Sequence, residues 1–510
     1  MRLRSLSKNL ATVALAAVLV LTACGTDDSS DGATVDSITI GLPTAITSLD
    51  PAYVGSVKAD LSVVSSVYSA LTQVGPDNQL RPDAAQKWEQ VEPTKWVFTL
   101  RDDVTFSDGT KLTAASVKWN LDRLRDPANA LKGISYVRDI VDVRAPDATT
   151  VEVITRGPNS ETPRILSFIY LLDPTWAESH NPTVEALGSG PYQIESYNAQ
   201  GDTVLVRNPH FYGEPAQIGR VTFRVFSSDS SRVAALRAGE LDLASALPLA
   251  ELDSARSIDG IIISSNETAR IDSVTLNTDV KPFEDVRVRR ALNYAVDKEK
   301  IASTVLRGLT TPVPGQWFSS AFASAVNQNL SAYPYDPAKA RALLAEAGYP
   351  DGFSVDWEFS SNGGTDDQVV QAIAQQLAEV GVKATLKPIT ASEWNKKYAV
   401  EHSISGLTYT KQGSQYTSPI QFLGFYRSDV VFNYWYNKEY DALVEQISHS
   451  TDDAQRKALF DQATQLAHDD AAVIFLWPEP NVYALRSNLE WTPRVDDFVR
   501  PYDVSVKAAG

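Results

Sequence analysis

Trp96-Val97-Phe98-Thr99-Leu100, then Arg101-Asp102-Asp103-Val104-Thr105-Phe106-Ser107-Asp108-Gly109-Thr110 and Val117-Lys118-Trp119-Asn120, spell strand, strand, turn and helix in close succession. Aromatic and β-branched residues make Trp96 to Leu100 a strand, and Val104-Thr105-Phe106 reads as a second. Ser107-Asp108-Gly109-Thr110 is a turn. Thr113 is placed to cap a helix whose Val117, Leu121 and Leu124 share one face at i, i+4 and i+7.

The mixture continues in both directions. Ser37-Ile38-Thr39-Ile40-Gly41 alternates as a strand, and Val204-Leu205-Val206 and Val221-Thr222-Phe223-Arg224-Val225 are further strands. A helical stretch begins at Asp285, with Val286, Arg289, Ala291, Leu292 and Val296. Asp336-Pro337 opens another helix, which Gly348 and Pro350 stop. Gln368 to Val380 is helical by period, with Gly381 as its end and Val382-Lys383-Ala384-Thr385-Leu386 as the next strand. Helix and strand repeated in this way predict an α/β fold with covered sheets.

The N-terminus reads as an export signal. Arg2, Arg4 and Lys8 precede an apolar run from Leu10 to Leu21, and Thr22 and Ala23 lead to Cys24. The run is shorter than the roughly 20 residues that span a bilayer. Leu21-Thr22-Ala23-Cys24 resembles a bacterial lipobox, in which the cysteine is lipidated; the other reading is an ordinary secretory signal that holds a cysteine. Cys24 is the only cysteine, so no internal disulfide forms. Acyl chains gain about 0.8 kcal/mol per buried methylene, and two hold stably. Residues 25–36 are small and polar and read as a flexible tether. About 470 residues then remain, enough by length for roughly two to four domains.

The net charge is −17, and losing residues 1–23 removes three cations and no anion, giving −20. That balance argues against nucleic acid or anionic lipid as partner, because both need a basic face. Catalytic signatures are absent: no phosphate loop, no G-x-G-x-x-G, no G-x-S-x-G and no H-E-x-x-H. His180, His210, His402, His449 and His468 are dispersed, so no metal site is expected and no cofactor is implied. Acidic pairs such as Asp102-Asp103, Asp366-Asp367 and Asp469-Asp470 read as solvated surface. A secreted carboxylate-dependent hydrolase, such as a glycosidase, is the alternative class; it requires a cleft with a raised-pKa acid near a second carboxylate.

From about Ser37 onward the chain resembles the large solute-binding proteins of ABC importers, family 5, of the dipeptide, oligopeptide and nickel type. Ser48-Leu49-Asp50-Pro51-Ala52, Leu80-Arg81-Pro82-Asp83-Ala84-Ala85, the Trp96–Asn120 stretch, Gly188-Ser189-Gly190-Pro191-Tyr192 and Asn208-Pro209-His210-Phe211-Tyr212 carry the likeness. The resemblance implies a periplasmic-binding-protein-like type II fold, with two hinged α/β lobes and an extra inserted domain. It places lobe I at 37–52, 185–282 and 477–507, the extra domain at 53–184 and lobe II at 283–476. It also implies a non-enzymatic monomer that captures a small solute between its lobes and hands it to permease and ATPase subunits, held to the membrane through the lipid anchor only. A micromolar complex of that kind is worth about −8.2 kcal/mol.

In peptide-binding members an aspartate stands where this chain has Gln415, and it pairs with the peptide ammonium. In dipeptide binders an arginine falls near Ser360, yet no Arg or Lys lies between Tyr349 and Lys383. Both charge anchors thus look absent, which favours a neutral polar ligand such as a sugar or a modified or capped peptide. A small alignment shift would bring Asp366 or Asp367 to the ligand instead. Tyr409, Tyr416, Trp435 and Trp317 are the aromatic candidates for ligand contact, while Trp96, Trp119 and Trp477 are assigned to the core.

Overall fold

The computed structural model of the chain describes residues 36–53, 57–226 and 228–507. The expected signal segment, Cys24 and the tether up to residue 35 lie outside them.

Two long strands organise the molecule. Ile261–Leu276 and Val473–Arg486 pair antiparallel in the middle of a ten-stranded sheet. Outward from Val473–Arg486 come Leu243–Ala244, Ser37–Leu42, Arg220–Val225, Thr203–Arg207 and Tyr192–Ser196. Outward from Ile261–Leu276 come Leu407–Gly413, Phe353–Ser360 and Val382–Ile389. The long strands therefore pair with both halves of the sheet: Ile262 and Ile263 sit opposite Leu485 and Ala484, whereas Val274 sits opposite both Ile474 and Tyr409.

The second half is built on a β-α-β unit. Phe353–Ser360 and Val382–Ile389 run parallel, joined by helix Thr365–Glu379, which buries Val369, Val370, Ile373 and Leu377. Parallel neighbours need such a crossover. Gly352 and Gly381 pack backbone to backbone there: a Cβ on Gly352 would fall 2.0 Å from the Gly381 carbonyl oxygen, and both have φ near +80 to +90. The helix starts three residues before the sequence reading placed it, with Asp366 and Asp367 in its first turn, where the helix dipole favours anions.

A separate four-stranded antiparallel sheet has the order Ala85–Glu92, Lys95–Leu100, Thr150–Thr155, Ile140–Arg144. Helix Ala114–Arg125 covers it, burying Val117, Leu121 and Leu124 with Phe98, Val151 and Val153. Each such side chain contributes about 1.5–3 kcal/mol. Thr113 and Ser116 form the capping box. Val104-Thr105-Phe106, expected as a strand, makes only one bridge, Thr105 to Lys111. Phe106 N–H already bonds to Thr110 O at 2.8 Å, and Asp108 ties down Thr110 N at 2.9 Å. The segment is consumed by its own turn. Asp336 caps Pro337–Glu346 as read, and Asp285, where the reading began a helix, caps Val286–Ala295. Trp96 and Trp477 are buried, while Trp119 is half-buried beneath Arg123.

Candidate functional site

The pairing of the long strands breaks between Glu267 and Ile271, opposite Pro480 and Pro478. Proline has no N–H to give a ladder, so two prolines flanking Glu479 leave the partner strand free to bulge. Thr268 Oγ1 bonds to Glu479 O at 3.0 Å across the gap. A bulge re-aims the side chains it carries. Here it turns Arg270 towards Glu479, 3.3 Å away, with about a third of the Arg270 side chain exposed.

Two cavities meet at that point. One, of about 430 Å³, is lined by Lys58, Ser62, Ser245, Arg270, Glu479 and Asn481 among others. The other, of about 240 Å³, lies against Lys58, Arg270, Lys411, Gln415 and Asp497. Lys58, Arg270 and Asp497 line both. Lys411 bridges Glu479 and Asp366, each at 2.8 Å. Lys58 opens helix Lys58–Val67, donates to Asp496 O at 2.7 Å and lies 3.7 Å from Asp497.

The electrostatics follow from that mixture. Burial lowers the Lys58 pKa against the pull of Asp497. Burial also works against Lys411, but Glu479, Asp272 and Asp366 outweigh it and hold its pKa well above the usual value. Glu479 stays below the usual carboxylate range despite burial, because Lys411 and Arg270 face it. Behind this front sits Asp272, whose Oδ2 accepts from Tyr409 Oη and from Trp477 Nε1 at 3.1 Å. Burial pushes Asp272 up to about 7, against Lys411. It is a raised-pKa acid near a second carboxylate, the signature the hydrolase reading asked for. Asp272 is only 2% exposed and lines neither cavity, so a solute in them does not reach it.

The loop after strand Leu407–Gly413 is gripped by Asn78, in the turn between strands Thr72–Val74 and Leu80–Pro82, and by Glu161 and Arg164 at helix Thr162–Ile165. Asn78 Nδ2 donates to Thr417 O at 3.2 Å and to Ala321 O at 2.7 Å, and Thr417 Oγ1 donates to Asn78 Oδ1 at 2.6 Å. Arg164 reaches Asn78 Oδ1 at 3.0 Å, and Ser418 Oγ donates to Glu161. Thr417 has φ +53, an outlier for a β-branched residue, maintained only where its surroundings over-determine it.

Gln415 lies in this loop, half-buried; its N–H donates to Gln421 Oε1 at 3.1 Å, and its Oε1 accepts from Gln421 Nε2 at 2.8 Å. Tyr416 packs edge-on to Tyr136 at 6.3 Å. Gln415 and Tyr416 line a narrow cavity of about 30 Å³ beside the cleft. Tyr409 is buried in the strand, its hydroxyl turned to Asp272. Ser360 ends strand Phe353–Ser360 beside Ile389 and lines none of these three cavities. Trp317 is fully buried, stacked on Tyr426 at 3.9 Å, and Trp435 is 2% exposed with its Nε1 on Asp470. Both belong to one apolar core with Phe475 and Tyr440, as large aromatics commonly do. Lys58, Arg270, Glu479 and Asp497 escaped the sequence reading. The one local signal was Pro478-Glu479-Pro480, a charge between two prolines in an otherwise apolar run.

Two halves of one sheet are joined by the two long strands, with polar cavities beside their bulge. The chain belongs to the bacterial extracellular solute-binding proteins, family 5, whose model matches residues 79–459. It is 29% identical over 469 residues to the glutathione-binding protein GsiB of Shigella flexneri, covering 89% of this chain and 91% of that one. Among solved structures it resembles the substrate-binding protein CtaP of Listeria monocytogenes, with a TM-score of 0.82 and 21% identity over 92% of this chain and 99% of that one. DppA of Helicobacter pylori, in complex with the peptide STSA, gives a TM-score of 0.74 and 20% identity, over 92% and 98%. The fold is the type II periplasmic-binding-protein fold of those solved structures, and the family is one of extracellular solute-binding proteins. Among the described residues no helix is long and apolar enough to cross a membrane.

Proposed function

We propose that this chain is a lipid-anchored substrate-binding protein that captures a small peptide-like solute in the cleft and delivers it to an importer's permease. Cys24 is the lipidated residue, and residues 25–36 tether a monomeric body outside the cell membrane. Lobe I comprises about 37–52, 185–282 and 477–507, the inserted domain 53–184, and lobe II 283–476. The hinge lies where the long strands cross, near Glu267–Ile271 and Pro478–Pro480. Ligand favours the closed form by contacts made only there.

The observation that carries this reading is the juxtaposition of Lys58, Arg270 and Lys411 with Glu479, Asp497 and Asp366 around the cavities. Cations and carboxylates at one site suit a solute that itself carries both signs. Gln415 remains a neutral contact, so the charge anchors come from other elements than the two aligned positions. A modified or linked peptide fits this pattern better than a sugar. Among relatives, GsiB is named for glutathione and DppA holds a peptide, which supports the peptide-like class. Calorimetric titration with glutathione, unmodified dipeptides and oligosaccharides tests the reading. Micromolar binding of a peptide-like compound, weakened at least tenfold by Arg270→Gln, supports it; binding of oligosaccharides alone overturns it.

A further inference from the structure

The two cavities of the cleft differ in character. The smaller is walled by Lys411, Gln412, Ser414, Gln415 and Asp496, and Lys58, Arg270 and Asp497 stand where it meets the larger. Beyond those charges and Glu479 the larger cavity turns apolar. Leu42, Ala59 and Val499 are buried in its wall. In front of them Pro43 and Val57, both half-buried, and the exposed Ala246 present apolar surface to the cavity. These three come from separate parts of the chain: the end of strand Ser37–Leu42, the start of helix Lys58–Val67 and the turn after strand Leu243–Ala244.

Two of the three sit in backbone positions that their residue type disfavours. Val57 is the N-cap of helix Lys58–Val67 and makes no side-chain capping bond. Ser, Thr, Asp and Asn are the favoured residues there, and valine is among the poorest. Ala246 has φ +48, a conformation that a Cβ strains, and its carbonyl is held by Arg232 at 2.9 Å. Local rules broken in this way concentrate at functional sites. A capping side chain at position 57 would bring polar atoms to the cavity wall, whereas valine keeps that wall apolar. Water against such a surface is released when an apolar group covers it. The cavity, at about 430 Å³, falls within the roughly 300–1,000 Å³ of small-molecule pockets.

We infer that this wall is a specificity pocket for an apolar side chain, so that the solute is amphipathic: its charged groups lie at Lys58, Arg270 and Asp497, and an apolar group one residue away lies against Pro43, Val57 and Ala246. The assignment rests on the cleft being the solute site. The probes are the dipeptides Ala-Leu and Leu-Ala, each paired with its Asn counterpart, Ala-Asn or Asn-Ala, in calorimetric titration of the mature chain. The members of a pair carry the same termini, and leucine and asparagine side chains are close in shape. In at least one pair the Leu member should bind tighter by about tenfold or more, because an amide without partners is costly against an apolar wall. Val57→Asn should weaken that Leu member several-fold and leave its Asn counterpart unchanged. Asparagine is a good N-cap, so this variant should keep or raise the Tm of the free protein. Equal affinities within both pairs, no binding of either Leu member, or a Val57→Asn variant that weakens both members alike overturns the assignment. Binding of the Asn members alone overturns it too but leaves peptide capture standing. Binding of oligosaccharides alone removes peptide capture and this pocket with it.

Discussion

Lys411 and Glu479 meet at 2.8 Å, one from strand Leu407–Gly413 and the other from the long strand Val473–Arg486. Asp366 closes on the same ammonium from helix Thr365–Glu379. The pair ties the second half of the sheet to the crossing point. Breaking a fully buried pair costs about 3–5 kcal/mol, because the partner charge is left behind. These side chains are about a quarter exposed, so Lys411→Met should cost nearer about 2 kcal/mol. Urea unfolding measures it, and the double variant with Glu479→Gln should lose less than the sum of the single changes.

Asp272 should leave a signature in the dependence of stability on pH. Its pKa is raised to about 7 in the fold by burial, against about 3.9 in the unfolded chain. Between those values the native state holds more protons than the unfolded state, so this group makes stability fall as pH rises from about 4 to about 7. Glu479, shifted downward, acts in the opposite sense. The readout is therefore a difference: Asp272→Asn should have a flatter decline than the wild type across that window and be at least as stable at pH 8. Denaturant midpoints at several pH values measure it.

Asn78 and Thr417 clasp the turn between strands Thr72–Val74 and Leu80–Pro82 to the loop that carries Gln415. With Asn78→Ala, Thr417 loses the partner that helps to hold its φ at +53. The expected result is a more open ensemble without ligand, seen as a larger radius of gyration by X-ray scattering, and ligand affinity reduced several-fold. An unchanged radius and affinity would remove the clasp from the closing mechanism.

Cys24→Ser should release the protein from the membrane fraction while leaving solution binding unchanged. Fractionation reads the release and calorimetric titration of the released protein reads the binding; a variant that stays membrane-bound would contradict lipid anchoring.

Local signals in the sequence found elements such as Lys95–Leu100, Ala114–Arg125 and Thr365–Glu379, but left the two long strands Ile261–Leu276 and Val473–Arg486 unread. Thr113, Asp285 and Asp336 cap helices because capping depends on three or four adjacent residues. Val104-Thr105-Phe106 misled, because its turn takes the bonds a strand would have used. The site was harder to read. Gln415 and Tyr416 do line a cavity, but the cleft's charges come from Lys58, Arg270, Lys411, Glu479 and Asp497, residues spread over most of the chain. Lys58 and Asp496 are 438 positions apart. Only the bulge opposite Pro478 and Pro480 brings Arg270 to Glu479, and bulge register is a product of strand pairing rather than of composition. Trp317 and Trp435 drew attention as aromatics near the right segment, but size alone does not separate a ligand platform from a core residue.

Native mass spectrometry of the mature chain, purified without denaturation, tests solute capture most directly. The predicted result is a 1:1 complex with a small peptide-like molecule, displaced unchanged on mild activation and absent from Arg270→Gln. A chain that never carries or gains a solute, or one that converts the added compound into a product, would contradict the account.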